Sequence, residues 1–223
     1  MNEIIPATIP QNLNIIRDRL SKVVGLVRKV QVDIIDGQYT DIKTWPFVDT
    51  NSNDLVRFSR GEERFPYIDD FDLEIDMMVL HPIEYLPDFI ALGVKSFVIH
   101  IDSTDHIKEC LNTIKEAGRQ AGLGIKPSID ADLLESFLPL TDFVQFMGND
   151  KIGHSGVGLD WSVLEKIKYF KSKHAATKVQ VDIGVSEETI PVLKEVGVTC
   201  FVSGSAIFTV PDPTEALKKL QNL

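Results

Sequence analysis

Two aspartates carry the first chemical signal in this chain. Asp33 closes the apolar run Val30-Gln31-Val32 and leads into Ile34-Ile35-Asp36-Gly37, while Asp182 closes Val179-Gln180-Val181 and leads into Ile183-Gly184. A carboxylate at the carboxyl end of a buried strand stands where barrel enzymes keep their reacting groups. Two of them on separate strands form an acid/base pair in outline, one taking a proton while the other gives one. The bland reading of each is a structural carboxylate that caps a loop. Asp36, beside Gly37, suits a turn better than a reaction.

Such groups need strands to hold them, and the chain supplies a regular series. Short apolar runs rich in β-branched residues occur at 3–7, 29–35, 72–78, 96–101, 123–126, 143–147, 178–182 and 199–203. Between most of them the spacing predicts helices, at 12–24, 83–92, 105–121, 161–172, 187–196 and 214–220. Gly93, Gly122 and Gly197 read as helix C-terminal caps that turn into the next strand. Eight strand–helix units in 223 residues predict an α/β fold, one (β/α)8 barrel domain over 1–223, with a doubly wound open sheet as the alternative. Only residues 38–67 break the rhythm. That segment holds Trp45, Pro46, Pro66 and Arg60-Gly61-Glu62-Glu63-Arg64, and its length suits a lid or a subunit contact.

Composition narrows the partners. The formal net charge of −10 argues against nucleic acid or an anionic membrane, so a bound phosphate must be held locally by backbone amides. The two cysteines, Cys110 and Cys200, have no metal-site spacing, and Cys200 reads as a buried thiol in a reducing compartment. Residues 1–6 lack the basic-then-apolar pattern of a signal, and no apolar run approaches the roughly 18 residues of a membrane span. The expectation is a cytoplasmic protein.

Val32-Asp33-Ile34-Ile35-Asp36-Gly37, Asp76-Met77-Met78-Val79 and Val181-Asp182-Ile183-Gly184-Val185, in that order along nearly the whole chain, resemble the motifs of the ribulose-phosphate 3-epimerase family. Val32-Asp33-Ile34-Ile35-Asp36-Gly37 resembles the family's second-strand motif of histidine, any residue, aspartate, two apolar residues, aspartate and glycine. Asp76-Met77-Met78-Val79 falls on its His-Leu-Met-Val, and Phe97-Val98-Ile99-His100-Ile101-Asp102 on its fourth strand. Ile125-Lys126-Pro127 falls on the fifth strand, Val181-Asp182-Ile183-Gly184-Val185 resembles Val-Asp-Gly-Gly-Val, and residues 201–208 fit the final strand and phosphate loop. The resemblance implies a TIM barrel of the ribulose-phosphate-binding type, a homo-oligomer, and epimerisation of a ketose phosphate at C3. Asp33 and Asp182 then occupy the two catalytic positions, on opposite faces of the substrate carbon, and D-ribulose 5-phosphate with D-xylulose 5-phosphate is the first substrate pair expected.

The departures from that pattern are chemical. The family's two metal-ligand histidines are here Gln31 and Asp76. If the barrel closes, Gln31, Asp33, Asp76 and Asp182 form a cluster with three carboxylates. At roughly 5 Å and an effective dielectric of about 20, each carboxylate pair repels by about 3 kcal/mol. One remedy is a divalent cation held by these four residues, Mg2+, Mn2+ or Ca2+ rather than Zn2+ and Mg2+ or Mn2+ first, because the donors are all oxygen. A second is a shared proton and no metal. A third is an open cluster paired with Lys43 or Lys126. His81 could replace a lost ligand, whereas His100 reads as a hydrogen-bonded structural residue. The family's first-strand serine is Pro10 here, and a methionine near the reacting carbons becomes Ile35.

Met78 and Met147 would floor the substrate site and exclude water, although core filling is the ordinary role of a strand methionine. Gly184, Gly204 and Ser205 suit the phosphate loops after the seventh and eighth strands. The loop 148–156 is altered; Gly153 and Gly156 match, and Lys151, His154 or Ser155 either contacts phosphate or lies in an exposed loop. Two alternatives to the epimerase remain: a phosphosugar-binding protein without catalysis, and a phosphate-binding-barrel enzyme of decarboxylase or aldolase type, suggested by Asp41-Ile42-Lys43.

Overall fold

The computed structural model describes residues 2–49 and 52–223; Met1 and positions 50 and 51 of the 38–67 segment lie outside the described residues. Eight parallel strands form a closed barrel in chain order: β1 (Glu3–Thr8), β2 (Lys29–Ile35), β3 (Asp72–Met78), β4 (Ser96–His100), β5 (Gln120–Ile125), β6 (Phe143–Met147), β7 (Lys178–Asp182) and β8 (Cys200–Ser203). Closure is made by β8 pairing with β1, from Glu3 opposite Cys200 to Pro6 opposite Ser203, which disposes of the open-sheet alternative.

The helices are α1 (Leu13–Ser21), α2 (Asp54–Ser59), α3 (Leu86–Leu92), α4 (Ile107–Glu116), α5 (Ser162–Lys173), α6 (Thr189–Glu195), the single turn α7 (Ser205–Phe208) and α8 (Pro213–Gln221). Local chemistry sets their ends. Asn12 caps α1 by accepting from the Asn14 and Ile15 amides, and Asp212 caps α8 through the Glu215 amide. Ile16 and Leu20 of α1 belong to the same buried apolar cluster as the outward side chains Val30, Val32 and Ile34 of β2. Residues two apart share a strand face, so the inward set of β2 is Gln31, Asp33 and Ile35. Register places Gln31 opposite Glu74, Asp33 opposite Asp76 and Ile35 opposite Met78.

Three sequence readings change. First, β5 starts at Gln120, and α4 ends at Glu116 with the left-handed turn at Gly118 (φ 68°). Gly122 lies inside the strand because a β-carbon there would run into the Phe143 ring; it is a packing glycine and not a cap. Gly93 and Gly197 do turn left-handed after their helices. Second, the helix read at 83–92 divides into a 3-10 turn (Pro82–Glu84) and α3, with Pro87 in the first turn of α3. Third, the 38–67 segment is anchored. The Thr44 hydroxyl donates to the Asp33 carbonyl and accepts from the Ile35 amide, and the buried Trp45 and Phe65 rings pack 5.7 Å apart, with Phe89 of α3 6.1 Å from Trp45.

Candidate active site

The barrel brings Asp33, Asp76 and Asp182 together at its mouth. All three are buried, and each offers one carboxylate oxygen within 4.8 Å of the others. Gln31 turns its amide nitrogen toward them, donating to Asp33 at 2.9 Å and more weakly to Asp182 at 3.5 Å, while its oxygen accepts from Gln180. In this arrangement Gln31 is a donor to the carboxylates, so the cation ligands on offer are the three aspartates. Asp76 is held at both oxygens, by His100 Nε2 at 2.8 Å and by the Gln145 amide at 2.8 Å. Gly124 makes room for that imidazole, since a β-carbon there would lie 3.0 Å from His100 Nδ1. Below them Gln180 donates to Gln145 (2.6 Å) and Glu74 (2.7 Å), and Glu74 pairs with Lys29 (2.9 Å).

This buried polar column through Glu74, Gln145 and Gln180 escaped the sequence reading. Its signal was available: a polar residue at an inward position of strands that are otherwise apolar, as Gln145 in Phe143–Met147. Buried polar groups must find partners, so such residues imply one another.

The electrostatics follow from burial. Desolvation, then the charges of Asp182 and Asp76, hold the Asp33 carboxyl well above the usual carboxylate range, against the opposing pull of Gln31 and Arg19. Desolvation and Asp76 push Asp182 up to about 7, although the Ile183 amide donates to its Oδ1 at 2.8 Å. Near neutral pH the pair therefore carries protons that ordinary aspartates have lost. Lysines do not relieve it: Lys126 pairs with Asp102 at 2.5 Å, and the Lys43 side chain runs along Gly37. That removes the open, lysine-paired cluster. His81 is exposed, at φ 55° before a 3-10 turn, and no replacement ligand. Asp36 holds a turn, accepting from the Gln38, Tyr39 and Leu80 amides.

Does the cluster fit a metal ion? Three hard oxygen donors converge, and the bonds from His100 and Gln145 fix Asp76 as outer-shell partners fix a ligand, leaving its second lone pairs free. The donor set fits a hard divalent cation.

Asp33 and Asp182 also line a pocket of about 530 Å3, counting its open mouth, together with Met78, Gly153, Ser155, Gly156, Gly184, Gly204 and Ser205. Met147 belongs to an apolar cluster with Ile35, Met78 and Ile152, against which the partly buried Ile9, Tyr39, Ile42 and Ile183 pack. Gly184 (φ 74°) is required where the loops after β6 and β7 meet: a β-carbon there would overlap the Leu159 backbone. Ile183 also has φ 74°, a left-handed conformation that a β-branched residue rarely adopts, immediately after Asp182. The exposed His154 pairs with Asp41 at 3.1 Å, and Lys151 is exposed beside it. Asp41-Ile42-Lys43 thus belongs to a loop that meets loop 148–156. Arg19 of α1 lines the same pocket and was missed, because an arginine on an amphipathic helix reads as solvent-facing.

A profile of the "Ribulose-phosphate 3 epimerase family" matches residues 3–208. The "Ribulose-phosphate 3-epimerase" of Bacillus subtilis (strain 168) is 27% identical over 199 residues, covering 86% of this chain and 85% of its own. That of Chlamydia pneumoniae is 27% identical over 187 residues, covering 80% and 75%. Among solved structures, 3-hexulose-6-phosphate synthase from Salmonella typhimurium superposes with a TM-score of 0.71 at 17% identity, covering 100% of this chain and 97% of its own. KGPDC from Streptococcus mutans, in complex with a phosphosugar, gives a TM-score of 0.71 at 13% identity, covering 99% and 96%. At those identities the two structures bear on the fold alone.

Proposed function

The chain belongs to the ribulose-phosphate 3-epimerase family, and from that premise we propose that it interconverts ketose phosphates epimeric at C3, D-ribulose 5-phosphate and D-xylulose 5-phosphate or a related pair. One observation carries the proposal: Asp33 and Asp182, from strands three steps apart around the ring, line one pocket, with Asp182 raised to about 7 and Asp33 held well above the usual carboxylate range by burial and the neighbouring charges. A pair in which one member is ionised and the other protonated is what the reaction needs. The ionised carboxylate takes the C3 proton as the C–H electrons move into the C2 carbonyl, giving an enediolate. The protonated carboxyl returns a proton to C3 from the other face, and the roles exchange in the reverse direction. Met78, with Ile35, Met147 and Ile152 about it, keeps water from the enediolate. Gly184, Gly204, Ser205, Ser155, Gly153 and Gly156 line the part of the pocket that would take the phosphate.

Asp33, Asp76 and Asp182 would hold a divalent metal, Mg2+ or Mn2+ in preference to Zn2+, and when bound it supplies positive charge against the developing enediolate oxygens. Gln31 keeps Asp33 in place from below, and His100 with Gln145 keeps Asp76 in place. Asp33→Asn and Asp182→Asn should each lower turnover by about 100-fold or more while cooperative unfolding persists. Retained turnover in either variant contradicts the two-base mechanism, and tight phosphosugar binding without turnover in the parent chain favours a binding protein.

A further inference from the structure

A phosphate monoester entering this pocket meets a difficulty. The protein carries a net charge of −10, and the pocket itself is lined by two aspartates. The glycines at its phosphate end offer neutral amide dipoles, and α7 is a single four-residue turn with little dipole to add. A local cation would offset the repulsion, and the pocket wall contains one: Arg19.

Its guanidinium is positioned from two sides. Nη1 donates to the Thr8 hydroxyl at the end of β1 at 3.1 Å, and Cζ stands 5.5 Å from the centroid of the Phe208 ring, on the turn that follows Gly204 and Ser205. Of the other arginines, Arg17, Arg28, Arg57, Arg60 and Arg64 each have an acidic partner within 4.0 Å, and Arg119, which has no acidic partner among the described residues, does not line the pocket. Among the described residues Arg19 has no acidic partner, so most of its five donors remain for a ligand. The group is half-buried and already held in place, so a bond from it to an anion would lose little to ordering or to solvent.

Resting on the reading of the pocket as a phosphosugar site, we propose that Arg19 is the side-chain cation of its phosphate end, binding the phosphate monoester together with the amides around Gly184, Gly204 and Ser205. It is a binding and specificity residue, selecting for a phosphorylated over a free sugar.

The test is titration calorimetry at low salt with EDTA, using D-ribulose 5-phosphate and inorganic phosphate on the parent chain, Arg19→Gln and Arg19→Met. Both variants should bind each ligand about 10- to 100-fold more weakly, the loss expected for one charge-assisted contact. Variants within about threefold of a parent that binds well overturn the role of Arg19 and leave the phosphosugar reading standing. A parent that binds neither ligand overturns both. Phenylglyoxal modification of the parent, mapped by mass spectrometry, needs no variant: saturating inorganic phosphate should shield Arg19 and not Arg17, and equal labelling with and without phosphate contradicts the proposal.

Discussion

Asp182 should make the metal-free protein less stable as pH rises, and Asp182→Asn should remove that dependence. The folded pKa of about 7 lies above the ordinary value of 3.8, so the folded state binds more protons than the unfolded state between those values. Stability linked to this group is therefore full below about pH 4 and is lost as pH rises through about 7. A separation of about 3 pK units at 1.36 kcal/mol each gives roughly 4 kcal/mol lost between about pH 4 and pH 8. Asparagine keeps the shape and can still accept the Ile183 amide, but it has no charge to desolvate. Asp33 is relieved too, because the Asp182 charge is one of the causes that raises it. Urea melts of both proteins in EDTA across that range should show the variant gaining on the parent with each step in pH, by about 4 kcal/mol in total. Parallel curves, or a variant that weakens relative to the parent as pH rises, would refute the account of a desolvated carboxylate pair.

Other consequences follow from the same geometry. Added Mn2+ or Mg2+ should raise the melting temperature of the parent, by an amount equivalent to about 2.7 kcal/mol at a concentration 100-fold above Kd, and should do so far less in Asp76→Asn; no shift with either cation favours the shared proton. Gly148→Ala should destabilise by about 1–3 kcal/mol or more in a denaturant melt, because its β-carbon would overlap the Ile183 carbonyl oxygen; an unchanged midpoint contradicts the close loop packing. Glu74→Met should cost about 3–5 kcal/mol by leaving Lys29, Ser96 and Gln180 without their acceptor, and adding Lys29→Met should recover the part owed to the unpaired lysine. A double variant destabilised by the sum of the two single losses would mean that the pair is not coupled.

Much of the fold was legible because strand and helix periods differ. The runs at 29–35, 72–78, 143–147 and 178–182 coincide with β2, β3, β6 and β7 to the residue. Each is an apolar run that a parallel barrel buries on both faces. β5 was misjudged because Gly122 has a second physical use, space for Phe143, that no local pattern reveals. The two aspartates were visible as strand-end carboxylates, and their convergence with Asp76 followed once the strands closed. What stayed hidden were side chains whose meaning is set by distant partners. Gln145 and Gln180 matter through Asp76 and Glu74, and Arg19 matters through a pocket built mainly from the other end of the chain. Ile183, too, looked like an ordinary apolar residue, although its backbone is left-handed beside Asp182.

Hydrogen exchange at the substrate carbon tests the central claim most directly. D-ribulose 5-phosphate incubated with the protein in D2O, with EDTA and then with Mg2+ or Mn2+, should lose its C3 proton signal in the NMR spectrum as D-xylulose 5-phosphate appears, and Asp33→Asn and Asp182→Asn should abolish both changes. A C3 signal that persists under every condition, for a protein that still binds the phosphosugar, would contradict the assignment of Asp33 and Asp182 as an epimerase pair.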